Sequence, residues 1–450
     1  MRDMVDTAPL DEADIGGTAV TASPLAAEAP VQIPVQRYIS TEFAELEHER
    51  LWPRVWHVAC TTDHVSEPGD WFEHRLGRYS VVLVRGDDGV LRGFQNVCRH
   101  RGNTICQGSG SGANELRCPY HRWTWDLAGR LREVPSRRGF GPLRTEDLGL
   151  VPVRVDTWTR LVFVNLDPDA GSLASWLEGV PGDIAWAGLD EFRSQYSTVT
   201  PVNCNWKVVN EGFSETYHVQ GLHREMLASI DDVNARQRIW NRHSASYQAY
   251  GVPSPRLGRN VDPQTVWDSF VVTQGARMGP EYRQPCAAPD VPDGRTLADV
   301  IAQKIRAHQA TLGVDLSGYD TSQITGLSQY NLFPNSTVLV SADLFTVMTA
   351  RPGPTPDESE LAIINLRRTP SADAPASSPV HATVPIDAAD FGFVLNQDLS
   401  VIRTMQNGLH QPGCTHVLLS GEECRIINMH RHLERYLGLE PGGWEPVPAG

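Results

Sequence analysis

The sequence predicts an α+β fold in two folded units: a small antiparallel β domain, then a larger domain of sheet and helix. Three observations carry this. Between roughly residues 53 and 165, short apolar stretches are separated at close spacing by Gly, Asp and Pro turns, as in antiparallel strands joined by tight loops. After Pro168 a helical periodicity appears, and strands and helices then segregate along the chain instead of alternating. The 450 residues suffice for two or three domains with real cores, and 40% apolar content with 12 Trp is globular. No internal repeat is visible.

The elements follow in order. Residues 1–34, rich in Ala, Thr, Pro, Asp and Glu without periodicity, predict a flexible tail. Phe43, Leu46, Leu51 and Trp52 among charges predict a helix over 41–52. Strands are expected at 81–84, 91–97, 115–118, 123–126 and 160–165, with Asp87-Asp-Gly89 as a hairpin turn. Residues 205–230 read as largely helical. A second helix is expected over 295–312, with Leu297, Val300, Ile301, Ile305 and His308 on one stripe. Strands return at 328–333, 337–341, 344–350 and 361–367. An exposed loop at 371–379 follows, and helices over 388–409 and 422–437 close the chain.

Composition excludes several functions. A net charge of −15 speaks against a nucleic-acid or anionic-membrane surface, which would favour basic patches. No run of about eighteen apolar residues exists, so no spanning helix is expected. The start, MRDMVDTAPLDEADIGG, lacks a basic segment followed by an apolar one, so no secretory leader is expected and the cytoplasm is the expected compartment. Six of the eight cysteines (Cys60, Cys106, Cys204, Cys286, Cys414 and Cys424) read as isolated idle thiols in a reducing environment.

The other two cysteines carry chemistry. Cys98-Arg-His100 is followed after seventeen residues by Cys118-Pro-Tyr-His121. Two loops, each giving one thiolate and one imidazole, supply the ligands of a two-iron, two-sulfur cluster. Cys98 and Cys118 would hold one iron, and His100 and His121 the other. Pro119 stiffens one loop and Gly102 lets the other turn. Structural zinc takes the same donor types but more often uses Cys-x-x-Cys pairs. Gly108-Ser-Gly-Ser-Gly112 leads into a strand, not a helix, so it is not read as a dinucleotide loop, and the electrons are expected from another protein.

A second site lies about a hundred residues further on. On a helix over 206–217, Glu211, Glu215 and His218 share one face at i, i+4 and i+7. His223 would lie about 140° off that face on a straight helix, so it converges only if the helix breaks, and Gly221 is placed to allow that. Two His and a carboxylate, leaving open positions, suit mononuclear Fe2+. Asp398, opening an expected helix, is one candidate for the carboxylate, and Asp390 and Asp387 are rivals. His430-Arg-His432 diverges by about 200° on a helix and reads as part of a solvated terminal helix.

These segments carry a resemblance. Asn96-Val-Cys-Arg-His-Arg-Gly102, Cys118-Pro-Tyr-His-Arg-Trp123, Asn205-Trp-Lys207, Tyr217-His218, Asn331-Leu-Phe-Pro-Asn335 and Gln397-Asp398 make the chain resemble the α subunits of Rieske non-haem iron ring-hydroxylating oxygenases over roughly residues 35–440. The resemblance implies a tail over 1–34, a Rieske [2Fe-2S] domain with its leading helix over 35–165, and a helix-grip catalytic domain over 166–450. It implies Asp398 as the third iron ligand, and Glu215 as the acid linking the two metal centres across a subunit boundary. It implies head-to-tail homotrimers with or without a separate β subunit, electrons from a ferredoxin or flavin reductase, and dioxygen as co-substrate. The expected substrate is a small apolar or aromatic molecule that is mono- or dioxygenated or oxidatively dealkylated, with Phe213, Met226, Leu227, Phe333 and Phe345 near it. The chain departs from the pattern in two places: the linking acid is Glu where Asp is commoner, and Arg122 stands where Gly commonly follows the histidine, so Arg122 should point outward. A pure electron carrier or iron–sulfur sensor with an inactive second domain is the alternative, and the His218/His223 pair argues against it.

Overall fold

Val81 to Val84 are all buried, and that run forms the middle of a strand in the computed structural model, which describes residues 29–258, 260–388 and 390–444. The chain starts with β1 (Val31–Pro34) and α1 (Thr41–Arg50). Ten strands of a smaller unit follow: β2 (His57–Thr61), β3 (Trp71–Leu76), β4 (Tyr79–Arg85), β5 (Leu91–Gln95), β6 (Ser109–Gly110), β7 (Leu116–Arg117), β8 (Thr124–Trp125), β9 (Leu131–Glu133), β10 (Pro152–Trp158) and β11 (Leu161–Asn165). They build a seven-stranded antiparallel sheet in the order β2-β11-β10-β5-β4-β3-β6 and a three-stranded sheet β7-β8-β9. The β4–β5 hairpin closes through Gly89 at φ +75°, a left-handed conformation that glycine adopts without Cβ strain.

The larger unit contains β12 (Phe192–Val202), α2 (Trp206–Gly212), α3 (Val219–Leu222), β13 (Ile230–Ile239), β14 (Ser244–Tyr250), α4 (Pro263–Gln274) and α5 (Leu297–Thr311). It continues with β15 (Leu327–Leu332), β16 (Ser336–Val340), β17 (Leu344–Pro352), β18 (Ser359–Arg368), β19 (Val380–Thr383), α6 (Phe393–Leu409), β20 (His416–Leu419) and α7 (Cys424–Leu437). Eight strands form one sheet, β13-β14-β15-β16-β17-β18-β12-β19, antiparallel except at its β12–β19 edge. Helices cover it, the α+β helix-grip arrangement. Among the described residues no helix is long and apolar enough to cross a membrane.

Four features differ from the sequence reading. Of the expected tail, residues 1–28 lie outside the described residues, whereas β1 pairs antiparallel with β20, Val31 opposite Leu419. The helix expected to lead the cluster domain packs into the core of the larger unit instead: Glu47 of α1 accepts from Lys207 Nζ at 2.7 Å and Trp206 Nε1 at 3.1 Å, both buried. One hydrophobic core runs from Ile33, Tyr38 and Trp52 through Val58 and Phe163 of the smaller unit to Phe345 and Leu433, beside smaller clusters within the cluster-loop unit and around α4 and α5. Finally, β12, β13, β14 and α4 escape the sequence pattern because polar side chains interrupt their apolar periodicity.

The terminal helix is not solvated. His430 and His432 on α7 are buried, and His430 Nε2 lies 2.9 Å from Glu211 Oε1 and 3.1 Å from the Tyr38 hydroxyl. Burial, followed by Arg37 and Lys207, holds His430 well below the ordinary histidine range. Cys60, Cys204 and Cys424 are buried and free, and Cys106, Cys286 and Cys414 are half-buried and free.

Candidate metal centres

The two cysteine loops are built alike. In the first, Gly102 N–H donates to Cys98 O (3.0 Å) and Cys98 N–H donates to Asn103 O (2.8 Å). In the second, Arg122 N–H donates to Cys118 O (3.1 Å) and Cys118 N–H donates to Trp123 O (2.9 Å). The spacing is i+4 and i+5 in both. Gly102 at φ +76° and Arg122 at φ +63° therefore hold equivalent left-handed positions. A non-glycine residue there costs about 1–2 kcal/mol, and the Arg122 side chain points into solvent as expected.

These loops bring four donors together. Cys98 and Cys118 are buried neighbours; burial first, then the adjacent Cys118 thiol, push the Cys98 thiol up. The His100 and His121 ring centroids stand 4.7 Å apart, and His100 stacks on Trp123 at 5.0 Å. His100 Nδ1 is buried with no hydrogen-bond partner among the described residues. Desolvation, then His121 and Arg101, lower the His100 pKa, favouring the neutral ring that a metal needs. Two adjacent thiols on one side, two adjacent imidazoles on the other and an orphaned ring nitrogen fit a [2Fe-2S] cluster. Tyr120 and Phe140 stand exposed beside it.

The second site forms where a helix stops. α2 starts at Asn205, whose Oδ1 caps Lys207 N–H at 3.1 Å, and ends at Gly212. It ends because Asn331 Nδ2 of β15 donates to Phe213 O at 2.8 Å, and Gln329 Nε2 donates to the same carbonyl. His218 and His223 flank the four-residue α3, and the break at His223 lies at φ −108°, ψ 49° on the histidine itself. Gly221, given that role by the sequence, sits inside α3 instead. Glu211 does not share a face with Glu215 and His218 either. It lies on α2 and binds Tyr38 and His430, while Glu215 follows the break.

His218, His223 and Asp398 offer one ligand atom each, all within 4.8 Å of one another. Asp398 Oδ1 is 2.8 Å from His223 Nε2 and 3.7 Å from His218 Nε2. The other ring nitrogens are occupied: His218 Nδ1 by Glu215 Oε1 at 2.5 Å, and His223 Nδ1 by Gln397 Oε1 at 2.8 Å. Glu215 Oε2 also accepts the His218 backbone N–H at 3.0 Å. With a metal bound, each neutral imidazole would donate from Nδ1 to these acceptors and leave its Nε2 lone pair for the ion. Burial alone would lower the His218 pKa, but Glu215 and Asp398 outweigh it and hold the metal-free group above its ordinary value. This donor set fits mononuclear Fe2+ with open positions. Asp398 lies in the second turn of α6, not the first. Asp390 is engaged in its own exposed turn, with Gly392 N–H and Asn396 Nδ2, and neither it nor Asp387 joins the histidines.

A cavity of about 1140 Å³ opens onto this site. Its walls come from β12, α2–α3, β14–β18, α4 and the start of α6. Of the five apolar residues expected near the substrate, Phe213 and Met226 line it. Leu227 belongs to the α3–α4–α5 core, and Phe333 and Phe345 to the main core. The sequence reading gave no role to Gln397, although it adjoins a proposed ligand, nor to Gln329, Thr346 and Asn365. The only trace of these is a polar residue at alternate positions of otherwise apolar strands.

Comparison with known proteins agrees with this geometry. Residues 55–153 match the Rieske [2Fe-2S] domain model, and residues 189–439 match the ring hydroxylating alpha subunit (catalytic domain) model. The carnitine monooxygenase oxygenase subunit of Escherichia coli (strain K12) is 31% identical over 228 residues, 50% of this chain and 59% of that protein. The biphenyl 2,3-dioxygenase subunit alpha of Rhodococcus jostii (strain RHA1) is 35% identical over 189 residues, 40% of this chain and 41% of that protein. The chain therefore spans about half the length of the curated relatives it matches. Among solved structures, a quaternary ammonium Rieske monooxygenase in complex with L-carnitine superposes with a TM-score of 0.65 at 19% identity, covering 91% of this chain and 97% of that one. Naphthalene 1,2-dioxygenase from Rhodococcus sp. bound to indole gives a TM-score of 0.62 at 18% identity, covering 90% and 94%.

Proposed function

We propose a function from one premise: the chain belongs to the family of ring-hydroxylating α subunits, with a Rieske [2Fe-2S] domain ahead of its catalytic domain. It is the terminal oxygenase of a multi-component system in the cytoplasm. Electrons arrive from a ferredoxin or flavin reductase, and an apolar or aromatic small molecule is mono- or dioxygenated or oxidatively dealkylated with dioxygen. The observation that carries this reading is the coexistence in one chain of the Cys98/His100/Cys118/His121 set and the His218/His223/Asp398 set. The relatives support both outcomes, since their names include a monooxygenase and a dioxygenase.

The residues divide the work. Cys98, His100, Cys118 and His121 would hold the cluster, which when bound stores one electron at a time. His218, His223 and Asp398 would hold Fe2+, which when bound supplies the centre at which dioxygen is reduced. Glu215 and Gln397 fix the tautomers of the two histidines through their Nδ1 protons. Phe213, Met226 and the sheet face shield the substrate from water. Glu215 has lone pairs left beyond its contacts with His218, so in a head-to-tail trimer it can accept a hydrogen bond from a cluster imidazole of the neighbouring subunit. Work on one structural relative bears the description "inter-subunit electron transfer", which supports this arrangement.

Metal analysis tests the reading. Anaerobically purified protein should hold about three irons and two acid-labile sulfides per chain, two irons in the cluster and one mononuclear. An Asp398→Ala chain should lose one iron and keep the cluster spectrum. Two irons in the unaltered chain would leave an electron carrier, and zinc without sulfide would remove both readings.

A further inference from the structure

The floor of the cavity is one face of the eight-stranded sheet, and the ladder register lines up a row of side chains across it. Tyr196 on β12 stands opposite Asn365 on β18, Asn365 opposite Thr346 on β17, Thr346 opposite Leu339 on β16, and Leu339 opposite Gln329 on β15. All five line the cavity. Directly opposed side chains on one sheet face stand about 5 Å apart, so the row is continuous. Four of its five members are polar; the rest of the lining mixes apolar side chains such as Met226, Met348, Ile363 and Leu395 with polar ones such as Thr216, Gln274 and Arg283.

The two ends of the row differ. At the β15 end, Gln248 Nε2 donates to Gln329 Oε1 at 3.2 Å, and Gln329 Nε2 donates to Phe213 O. Those amides are largely engaged with protein. At the β12–β18 end, Thr346 Oγ1 donates to Asn365 Oδ1 at 2.9 Å. That bond orients the amide, turning its oxygen to Thr346 and leaving both Nδ2 hydrogens without a protein acceptor among the described residues. Thr198, two residues along β12 from Tyr196, adds a cavity-lining hydroxyl that is buried and without a partner among the described residues.

Unmet donors on a cavity floor call for an acceptor in the ligand, because a half-buried N–H facing an apolar group loses its bond to water and gains none. A positive ligand group would meet the positive ends of these dipoles. The acidic side chains that line the cavity are engaged elsewhere: Glu215 and Asp398 with the histidines, Asp390 with Gly392 and Asn396. Arg283 stands exposed on the rim.

We propose that the cavity takes a substrate whose apolar body carries an uncharged oxygen acceptor, a carbonyl above all, and that Asn365, oriented by Thr346, is the residue that selects it. This rests on the oxygenase reading for what happens to the substrate, but not for how it binds. The test is equilibrium dialysis under argon, with the iron- and cluster-loaded protein and three probes: benzophenone, its isostere 1,1-diphenylethylene, and benzyltrimethylammonium. One satisfied neutral hydrogen bond predicts that the ketone binds about 10-fold more tightly than the alkene. Asn365→Leu should bring the two within about 2-fold by weakening the ketone alone, and Thr346→Val should narrow the gap in the same direction. The Thr346 variant also serves if the Asn365 variant fails to fold. Equal binding of ketone and alkene, a preference unchanged in the variants, tighter binding of the cation, or no binding of the ketone would each overturn the proposal. Oxygen uptake with a surrogate reductase is read separately: a ketone preference without uptake would fault the oxygenase reading and leave this inference standing.

Discussion

Replacing Gln397 with Leu should weaken the mononuclear site without touching any of its three donors. The His223 ring is 1% exposed, with Nδ1 held by Gln397 Oε1 and Nε2 by Asp398 Oδ1, each at 2.8 Å. A neutral imidazole has one N–H to place. With iron bound, the proton belongs on Nδ1, where Gln397 Oε1 accepts it and leaves Nε2 to the metal. In the Gln397→Leu chain the proton moves to Nε2 and donates to Asp398, and the lone pair turns away from the site. Binding Fe2+ then requires returning the proton to a buried Nδ1 with no acceptor, at a cost of about 1–3 kcal/mol. That corresponds to roughly 5- to 150-fold weaker iron binding, which brackets the roughly 10- to 100-fold typical of outer partners of metal-bound histidines. Competition with a ferrous chelator under anaerobic conditions measures it, and the cluster absorbance, which should not change, serves as the internal control. Gln397→Glu keeps an acceptor and should bind iron at least as tightly as the unaltered chain. An affinity for Gln397→Leu within about 2-fold of the unaltered chain would refute the tautomer argument.

Two further predictions concern the buried polar network behind the site. Burial pushes the Glu211 carboxyl up to about 8, against an ordinary 4.5, so the folded chain keeps a proton that the unfolded chain has released. The stability from this group is therefore complete below about pH 4.5, declines as pH rises toward 8 and is level above it. Urea unfolding across that range should show the decline in the unaltered chain and a flatter profile in Glu211→Gln; parallel profiles would contradict it. Lys207→Met strands the Glu47 carboxylate in the core, where its side chain is 2% exposed, and should cost about 3–5 kcal/mol, whereas Lys207→Met with Glu47→Leu should recover much of it. Strictly additive losses in chemical denaturation would remove the coupling.

The two cysteine–histidine pairs could be singled out as candidates because each is local. Cys98-x-His100 and Cys118-x-x-His121 each sit in one turn, and each turn is closed by its own backbone, so spacing alone specifies them. The helix through 205–230 was not legible, because what ends it at Gly212 is a pair of amides on β15, more than a hundred residues away. Glu211 was placed on the wrong side for the same reason. The burial of α7 also depends on distant partners: His430-Arg-His432 looks solvated until Tyr38 and Glu211 are seen against it. β12 and β14 were hidden by the cavity itself, since strands that present Tyr196, Thr198 and Gln248 to it lose the apolar alternation that marks a strand.

On the proposed oxygenase reading, the hydrophobic core that runs from Ile33 through Val58 and Phe163 to Leu433 bears on how electrons would travel. A carrier domain on a tether delivers charge by swinging, and its rate follows solvent friction. Here the Cys98 loop follows β5 of a sheet whose strands β2 and β11 pack into the core of the larger unit, and the Cys118 loop joins β7 and β8 of the small sheet in the same unit, so the cluster side is built onto that core rather than carried on a linker. On the proposed reading, the gap an electron must cross would be set as the chain folds and its copies assemble. Transfer should then be indifferent to added glycerol, and its rate should answer to the chemistry of the bridging side chains alone.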